Sequence, residues 1–463
     1  MSSTVTRLYF GSPVWVQNAV VSAYGLRLRF LRYGRGQRRL LGELLESQWL
    51  PAERLRALQL ERLNQVVDHA RRTVPLYRDR LPESPVGSLD ELPELPLVHK
   101  ADLRAPRDTV VSSRYADARL DEIHTGGTTG SPLTVYCDRA TLQRNYAFFG
   151  RLRAWAGVRE GGRTATFAGR PVVPPAQKEP PFWRMNVAGN AMLFSSYHIG
   201  PATVRHYVDR LVSFRPELID SYPSSIEPLA RYVLEKGITS IRPRAVITSS
   251  ETLEPGVRRL VMEAFGCPVL DHYGAAEMAA LVTQCAGGSY HVNPEFGIVE
   301  LVRDGRPAGP GEAGEIVATG FINPVMPLIR YATGDMAAWR EGECACGRAF
   351  PMLAGVEGRR DDVIVTPEGR RIGRLDPIFK AVSSIYEAQI VQDAPDHVRV
   401  NVVGGEMTPE DEASLLHELR VRVGPSMRLD IARVDSIART SRGKFRAVVN
   451  LVGSSRAAPS GPV

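Results

Sequence analysis

The sequence predicts an α/β protein: a large multi-layer N-terminal domain, with α/β layers and a β-rich subdomain, followed by a small α+β C-terminal domain. Three observations predict it. Helical and strand-like segments alternate between residues 202 and 273, short β segments follow one another beyond Gly297, and a further group of strands around one helix begins after Gly358. A chain of 463 residues exceeds one compact core, so more than one domain is required.

Residues 1–120 read as a mostly helical or extended lead-in. Leu55, Leu58, Leu60, Leu63, Val66 and Val67 recur near helical spacing, which predicts a helix over 40–72 that Pro75 ends. Residues 81–98 are proline-rich and extended, and Asp138–Ala156 is helical. Helix Ala202–Phe214 precedes strand Leu218–Tyr222, helix Ser225–Glu235 precedes Ala245–Ser249, and helix Pro255–Phe265 precedes Val269–Tyr273. The β-rich part holds Ile298–Arg303, Gly314–Thr319 and Leu328–Tyr331. The C-terminal domain, 358–452, holds strands at Asp362–Thr366, Glu387–Gln392, Val398–Val403 and Arg428–Val434 and a helix at Pro409–Val423. The N-terminal domain is thus 1–357. The tail 453–463 has the composition of disorder.

Hydrophobic content of 43% and charged content of 24% are those of an ordinary globular protein. The formal net charge of +7 is carried by arginine, with a cluster at Arg27–Arg39, and acidic residues accompany the arginines through most of the chain. No nucleic-acid-binding module accompanies them, so no nucleic-acid partner is expected. The odd number of cysteines, five, does not suggest a disulfide framework, and a reducing, cytoplasmic compartment is expected. Val14–Tyr24 is apolar but too short to span a membrane, so no stable membrane insertion is expected. A weak amphipathic contact through Val14–Phe30 and burial against the main domain are the two readings, and burial is favoured.

Five polar segments carry the chemistry. His124-Thr125-Gly126-Gly127-Thr128-Thr129-Gly130-Ser131-Pro132 combines glycines, which let backbone N–H groups approach an anion, with hydroxyl donors. A phosphate cradle and a polar turn both fit it. It is not a Walker A loop, because no Gly-Lys-Ser/Thr follows. Asp271-His272-Tyr273-Gly274-Ala275-Ala276-Glu277 closes a strand and is expected to open a helix, with a carboxylate that can hold Mg²⁺. A helix-start glutamate facing the macrodipole is the bland alternative. Arg330-Tyr331-Ala332-Thr333-Gly334-Asp335 is expected to end a strand, where an aspartate can accept from a ribose. Gly358-Arg359-Arg360-Asp361-Asp362 marks the domain change, and Thr440-Ser441-Arg442-Gly443-Lys444-Phe445-Arg446 lies near the end of the fold. Separately, Cys285, His291, Cys344 and Cys346 offer four thiolate and imidazole ligands suited to a closed, structural Zn²⁺ site, although Cys-x-Cys is tighter than the usual spacing.

In their order and spacing these segments make the chain, from about residue 45 to 450, resemble the adenylate-forming superfamily of acyl-CoA synthetases and peptide-synthetase adenylation domains. Within it the chain is most similar to the phenylacetate–CoA ligase-like branch, including its capsule-biosynthesis members. Thr73-Val74-Pro75-Leu76-Tyr77-Arg78, Leu95-Pro96-Leu97-Val98-His99-Lys100, Ser221-Tyr222-Pro223-Ser224 and Ser249-Ser250-Glu251-Thr252-Leu253 support this.

The resemblance implies roles by position. Thr125, Gly126, Gly127, Thr128, Thr129 and Gly130 match the phosphate loop. Ser250, Glu251 and Thr252 match a loop beside the adenine, and Tyr273 and Gly274 the adenine-stacking motif. Glu277 matches the magnesium glutamate, Asp335 the ribose aspartate, and Arg359 the arginine near ribose and phosphate. Asp361 matches the hinge and Lys444 the adenylation lysine. Thr128, Glu277 and Lys444 are the implied catalytic set, and the C-terminal domain is implied to be mobile, swinging about Asp361. Similar Cys/His positions in this branch favour the zinc reading.

The implied activity is ATP- and Mg²⁺-dependent activation of a small-molecule carboxylic acid as an acyl-adenylate, with release of pyrophosphate and transfer of the acyl group to CoA. Two departures stand out. Leu133 replaces a lysine that many superfamily members place in the phosphate loop, and Val363–Ile372 differs from the loop that serves the CoA step in many ligases. The second departure makes an amine acceptor the alternative reading, and a non-catalytic nucleotide-binding protein on the same fold is a further one, against which intact Thr128, Glu277, Asp335 and Lys444 speak. The acid pocket is expected between Phe194–His198 and Tyr222–Ser225, with His198 and Tyr222 as orienting groups or His198 as a satisfied core histidine. The acid and the oligomeric state are not readable.

Overall fold

The computed structural model describes residues 8–124, 133–168, 172–174, 177–196, 198–359, 364–367, 371–372, 378, 385–404, 406–438, 446 and 448–452. Its contacts divide the chain into two compact units, one of the described residues up to Val356 and one from Glu357 onward.

The first unit opens with helices α1 (Val14–Arg32), α2 (Arg35–Ser47) and α3 (Ala52–Thr73). The single helix expected over 40–72 is two, because Pro51 fits only at a helix start and becomes the N-cap of α3. A small antiparallel pair, β1 (Asp121–His124) and β2 (Thr134–Cys137), precedes α4 (Arg139–Trp155). The Asp138 carboxylate accepts from the Thr141 N–H and caps α4.

Then β3 (Thr164–Ala168), β4 (Trp183–Asn186), β5 (Ala191–Ser195), α5 (Val204–Phe214), β6 (Leu218–Ser221), α6 (Pro223–Glu235), β7 (Ala245–Ser249), α7 (Pro255–Phe265) and β8 (Val269–Gly274) follow. This alternation is the expected one. Pro223 and Pro255 occupy the first turns of α6 and α7, and Gly266 ends α7 in the left-handed conformation (φ 62°). Strand β7, Ala-Val-Ile-Thr-Ser, is buried along nearly its whole length, as a parallel strand covered on both faces must be.

The β-rich part comprises β9 (Leu281–Gln284), β10 (Tyr290–Val292), β11 (Gly297–Arg303), β12 (Arg306–Pro307), β13 (Ala313–Gly320), β14 (Tyr331–Arg340) and β15 (Met352–Arg359). Among the described residues one thirteen-stranded sheet joins both parts in the order β12-β11-β13-β14-β15-β10-β9-β8-β7-β6-β3-β5-β4. It is parallel from β5 through β3, β6 and β7 to β8, and turns antiparallel at β9. One core packs α3 and the lead-in on the β-rich strands, and a second packs α5, α6 and α7 on the parallel strands.

Two expectations are corrected. Leu328–Ile329 is not a strand: the chain enters β14 at Tyr331, after Arg330 takes a left-handed turn (φ 46°). Asp335 therefore lies inside β14, beside an irregularity opposite Glu315–Val317, and not at a strand end. Glu277 opens no helix. It sits in a turn that Met278 (φ 56°) closes, and the chain returns antiparallel as β9.

In the second unit, β16 (Ile364–Val365) pairs with β17 (Arg371–Ile372), and β18 (Ile385–Ala394), β19 (His397–Gly404), β20 (Arg428–Arg433) and β21 (Val448–Asn450) form a sheet in the order β20-β19-β18-β21. Helix α8 (Pro409–Val423) starts with a reciprocal cap between Thr408 and Asp411 and buries Leu415, Leu419 and Val423. The buried Gln392 side chain binds both backbone groups of Val365, at 2.9 and 2.7 Å, and so ties β16 to β18.

Candidate functional site

Strand β3 is the pivot of the parallel part of the sheet. From it the chain leads to β5 on one side, then returns to β6, β7 and β8 on the other. Neighbouring strands whose connections leave in opposite directions open a crevice at their carboxyl ends. A cleft of about 1000 Å³ lies there, its lining including Phe167, Tyr222, Ser250, His272, Ala276 and, from α4, Phe149. The aromatic wall from α4 was invisible in the sequence, because only tertiary packing brings that helix to these strand ends.

The Tyr273 hydroxyl donates to Asp335 Oδ2 at 2.7 Å. Burial, reinforced by this carboxylate, holds the phenol well above its usual range, so it stays a donor. Glu277 is buried, and its Oε1 accepts from the Tyr331 hydroxyl at 3.1 Å. The stacking-motif tyrosine and the ribose aspartate are thus brought into contact. The magnesium glutamate gains a partner, Tyr331, that the quoted motif contained without a role. Ser250 (φ 70°), Met278 and Arg330 all take left-handed backbone conformations and flank these segments. Such strain in non-glycine residues concentrates where a loop must present specific groups.

Other members of the expected set are placed as follows. Glu251 accepts from the Ser224 N–H and hydroxyl, both at 2.9 Å, and so caps the N-terminus of α6. Thr252 is exposed, while Gly274 borders a smaller adjoining pocket of about 410 Å³. His198 receives or donates a 2.7 Å bond with Ser195, stacks on Phe182 and is not among the cleft-lining residues, whereas Tyr222 is.

Beneath the cleft, Asp271 accepts from Thr248 at 2.6 Å and Tyr290 at 2.7 Å, and burial pushes its carboxyl up to about 6. Its neighbour His272 packs edge-on against Phe149, and burial lowers its imidazole to about 4, so the ring is neutral.

Residues Thr125, Gly126, Gly127, Thr128, Thr129, Gly130, Asp361 and Lys444 lie outside the described residues, as does the tail 453–463. Arg359 is described only as the last backbone position of β15.

The four candidate metal ligands do come together. One ligand atom each from Cys285, His291, Cys344 and Cys346 lies within 4.8 Å of the others. The sulfurs of Cys285 and Cys344 are 3.7 Å apart, and Cys346 Sγ is 3.4 Å from His291 Nε2. A tetrahedral Zn²⁺ with ordinary bond lengths requires ligand separations of about 3.8 Å for S···S and about 3.6 Å for S···N. The donor set and its spacing therefore fit Zn²⁺.

The protonation states of His291 and Cys344 fit as well, while burial raises the Cys285 thiol. Burial lowers His291 to about 4, leaving the ring neutral. Burial raises Cys344, but hydrogen bonds from Ser289, Cys346 and Cys285 outweigh it and bring the thiol to about 7. The tight Cys-x-Cys spacing is accommodated because Cys344 and Cys346 sit on a turn, closed by the Gly347 N–H to the Cys344 carbonyl at 2.9 Å.

Next to this cluster Arg151, from α4, holds Glu295 through two bonds of 2.8 and 3.0 Å, with both side chains 1% exposed. It also reaches Asn293 and the Leu44 carbonyl. No sequence motif marked this pair.

Residues 364–451 match the family model described as the CapK C-terminal domain. Protein CapK of Staphylococcus aureus is 26% identical over 458 residues, covering 96% of this chain and 98% of that protein. Phenylacetate-coenzyme A ligase of Thermus thermophilus is 25% identical, covering 88% and 98%. The structure is also similar to that of 2-hydroxyisobutyryl-CoA ligase in its postadenylation state with R3-HIB-AMP, at a TM-score of 0.69, 22% identity, and 88% and 91% coverage. The chain is thus similar over nearly its whole length to CapK and to a phenylacetate-coenzyme A ligase, and its fold is that of 2-hydroxyisobutyryl-CoA ligase.

Proposed function

We propose that the chain activates a carboxylic acid with ATP as an acyl-adenylate and passes the acyl group to CoA. The observation that carries this reading is the convergence of two motifs: Tyr273 on Asp335 and Glu277 on Tyr331. That arrangement supplies a ribose acceptor and a buried, oriented carboxylate beside a cleft large enough for a small acid.

In the first step an oxygen of the substrate carboxylate bonds to the α-phosphorus of ATP, the bond to the bridging oxygen breaks, and pyrophosphate leaves. Asp335 receives the ribose hydroxyls, giving up the Tyr273 hydrogen bond. Glu277 is the residue that would hold Mg²⁺, which neutralises phosphate charge. Lys444 and the Thr125–Gly130 loop are assigned the remaining phosphoryl charge. In the second step the CoA thiolate, its proton already lost to water, attacks the acyl carbonyl carbon, the bond from that carbon to the phosphate oxygen breaks, and AMP departs with the electron pair. Cys285, His291, Cys344 and Cys346 are the residues that would hold a structural zinc, and with four protein ligands it would supply no chemistry of its own.

Pyrophosphate exchange into ATP, driven by a mixed pool of aryl, fatty and hydroxy acids, tests the first step. Acid-dependent exchange that disappears in Lys444→Ala and Glu277→Gln is expected. Exchange unchanged in both variants, or ATP binding without exchange for any acid, refutes it. Mass spectrometry of products with CoA, and with amines in its place, identifies the acceptor. An amide formed equally well without CoA overturns the second step.

A further inference from the structure

Helix α1 is inside out for a helix on a globular protein. Trp15, Ala19, Ala23, Leu26 and Phe30 fall on one stripe at helical spacing, and that stripe faces solvent. Trp15 is 73% exposed, Leu26 61% and Phe30 64%. The inward side mixes half-buried Val21 and Leu28, which line the cleft, with polar groups that bond the sheet. Gln17 binds Arg184 at 2.5 Å, Asn18 accepts from the Met185 N–H at 2.9 Å, and Ser22 accepts from the Val187 N–H at 3.0 Å. Gly25 meets the sheet so closely that a Cβ there would collide with Asn186.

The favoured expectation of burial thus holds for the helix and for Val21 and Leu28, but not for Trp15, Leu26 and Phe30. Among the described residues, most of the large exposed hydrophobics lie between Leu8 and Phe30, and exposed Val187 adjoins them. A patch this concentrated marks an interaction surface.

The charge singles out the partner. The first 42 residues contain seven arginines and no aspartate, glutamate or lysine. From Glu43 onward basic and acidic residues balance at 51 each, so the whole net charge of +7 belongs to this segment. Arg27 and Arg29 flank the apolar stripe on its two sides and are exposed, and Arg139 lies over the Phe30 ring at 3.9 Å. Arg35, Arg38 and Arg39 continue the positive surface on α2.

An apolar stripe carrying tryptophan and phenylalanine, rimmed by arginine and devoid of acids, is the pattern of a helix that lies in the headgroup region of an anionic bilayer. A nucleic acid would satisfy the arginines but not the stripe, and a second copy of this segment would bring like charges together. We propose that α1 seats the protein on anionic phospholipid surfaces, with Trp15, Leu26 and Phe30 entering the interface and Arg27 and Arg29 meeting headgroup phosphates. No helix among the described residues is long and apolar enough to cross a membrane, so the seat is peripheral. The inference is independent of the proposed reaction.

Flotation of the full chain with vesicles tests it, using phosphatidylcholine alone and phosphatidylcholine with about a third phosphatidylglycerol. Binding to the anionic vesicles only is expected, weakened by salt at roughly 0.5 M. The triple variant Trp15→Ser/Leu26→Ser/Phe30→Ser should bind at least about tenfold more weakly, with an unchanged melting temperature. Arg27→Gln/Arg29→Gln should lose severalfold while keeping the stripe, and serves alone if the triple variant fails to fold. The proposal is overturned if anionic vesicles do not bind. It is also overturned if the variants bind as the parent does, or if the triple variant abolishes self-association of a chain that never floats.

Discussion

Replacing Arg151 with methionine leaves the Glu295 carboxylate 1% exposed with only the Ser47 hydroxyl, at 2.6 Å, as a side-chain partner. Two charge-assisted bonds to Glu295 disappear, together with the 2.6 Å bond to Asn293 and the 3.2 Å bond to the Leu44 carbonyl. Burial raises the Glu295 carboxyl, but Arg151 outweighs it and holds the group below its usual range. Without the guanidinium the burial penalty is opposed only by the weaker hydrogen bonds from Ser47 and the Glu295 backbone N–H. Breaking a buried pair in this way costs about 3–5 kcal/mol.

The reverse break, Glu295→Gln, leaves the guanidinium between Asn293 and the rings of Phe148, Trp155 and Phe350, 5.0–5.7 Å away. Its cost is smaller, about 2–3 kcal/mol. Arg151→Met/Glu295→Leu removes both charges and should return to within about 1–2 kcal/mol of the parent. Urea unfolding followed by tryptophan fluorescence measures all three. The five tryptophans, Trp15, Trp49, Trp155, Trp183 and Trp339, all precede Val356, so the signal belongs to the first unit alone. A single variant costing under about 1 kcal/mol, or a double variant no better than Arg151→Met, refutes the argument.

Three more outcomes follow from the site. The purified chain should carry one zinc, and Cys344→Ser should lower both metal content by elemental analysis and the melting temperature. Chelation should mimic the variant in the parent and add nothing in Cys344→Ser. Glu251→Leu removes the acceptor from both Ser224 donors at the α6 N-terminus and should cost about 1–2 kcal/mol in denaturant. His272, held down to about 4 by burial, binds its proton more readily in the unfolded chain. Its contribution is therefore present above about pH 6.5 and lost as pH falls toward 4, up to roughly 3 kcal/mol. The stability difference between parent and His272→Asn should shrink over that range, and a constant or growing difference counts against it.

Much of this arrangement is legible in the chain because local rules agree with the fold. Pro223 and Pro255 announce helix starts, Gly266 a helix end, and the apolar runs between them the parallel strands. The errors fall where one residue's backbone overrides the pattern. Pro51 splits a helix that leucine spacing alone would continue, and Met278 and Arg330 bend left-handed where the sequence suggests a helix and a strand. The metal cluster is legible because cysteine and histidine are rare enough for spacing to matter. Ser224 as the partner of Glu251, Tyr331 as that of Glu277 and the Arg151–Glu295 pair are not, because common residue types meet only after distant segments pack.

The hydrogen bonds from Asn18 and Ser22 to the backbone of residues 185–187 have a consequence for solubility. Strand β4 is the last strand at one end of the sheet, and an open strand edge templates pairing with other chains. Helix α1 occupies this rim with side-chain amide and hydroxyl groups, answering Met185 and Val187 without extending the sheet. A truncation that begins after Tyr33 would bare that rim. Such a shortened chain should precipitate through edge-to-edge stacking even while Cys285, His291, Cys344 and Cys346 stay together, and it also loses the α1 wall of the cleft.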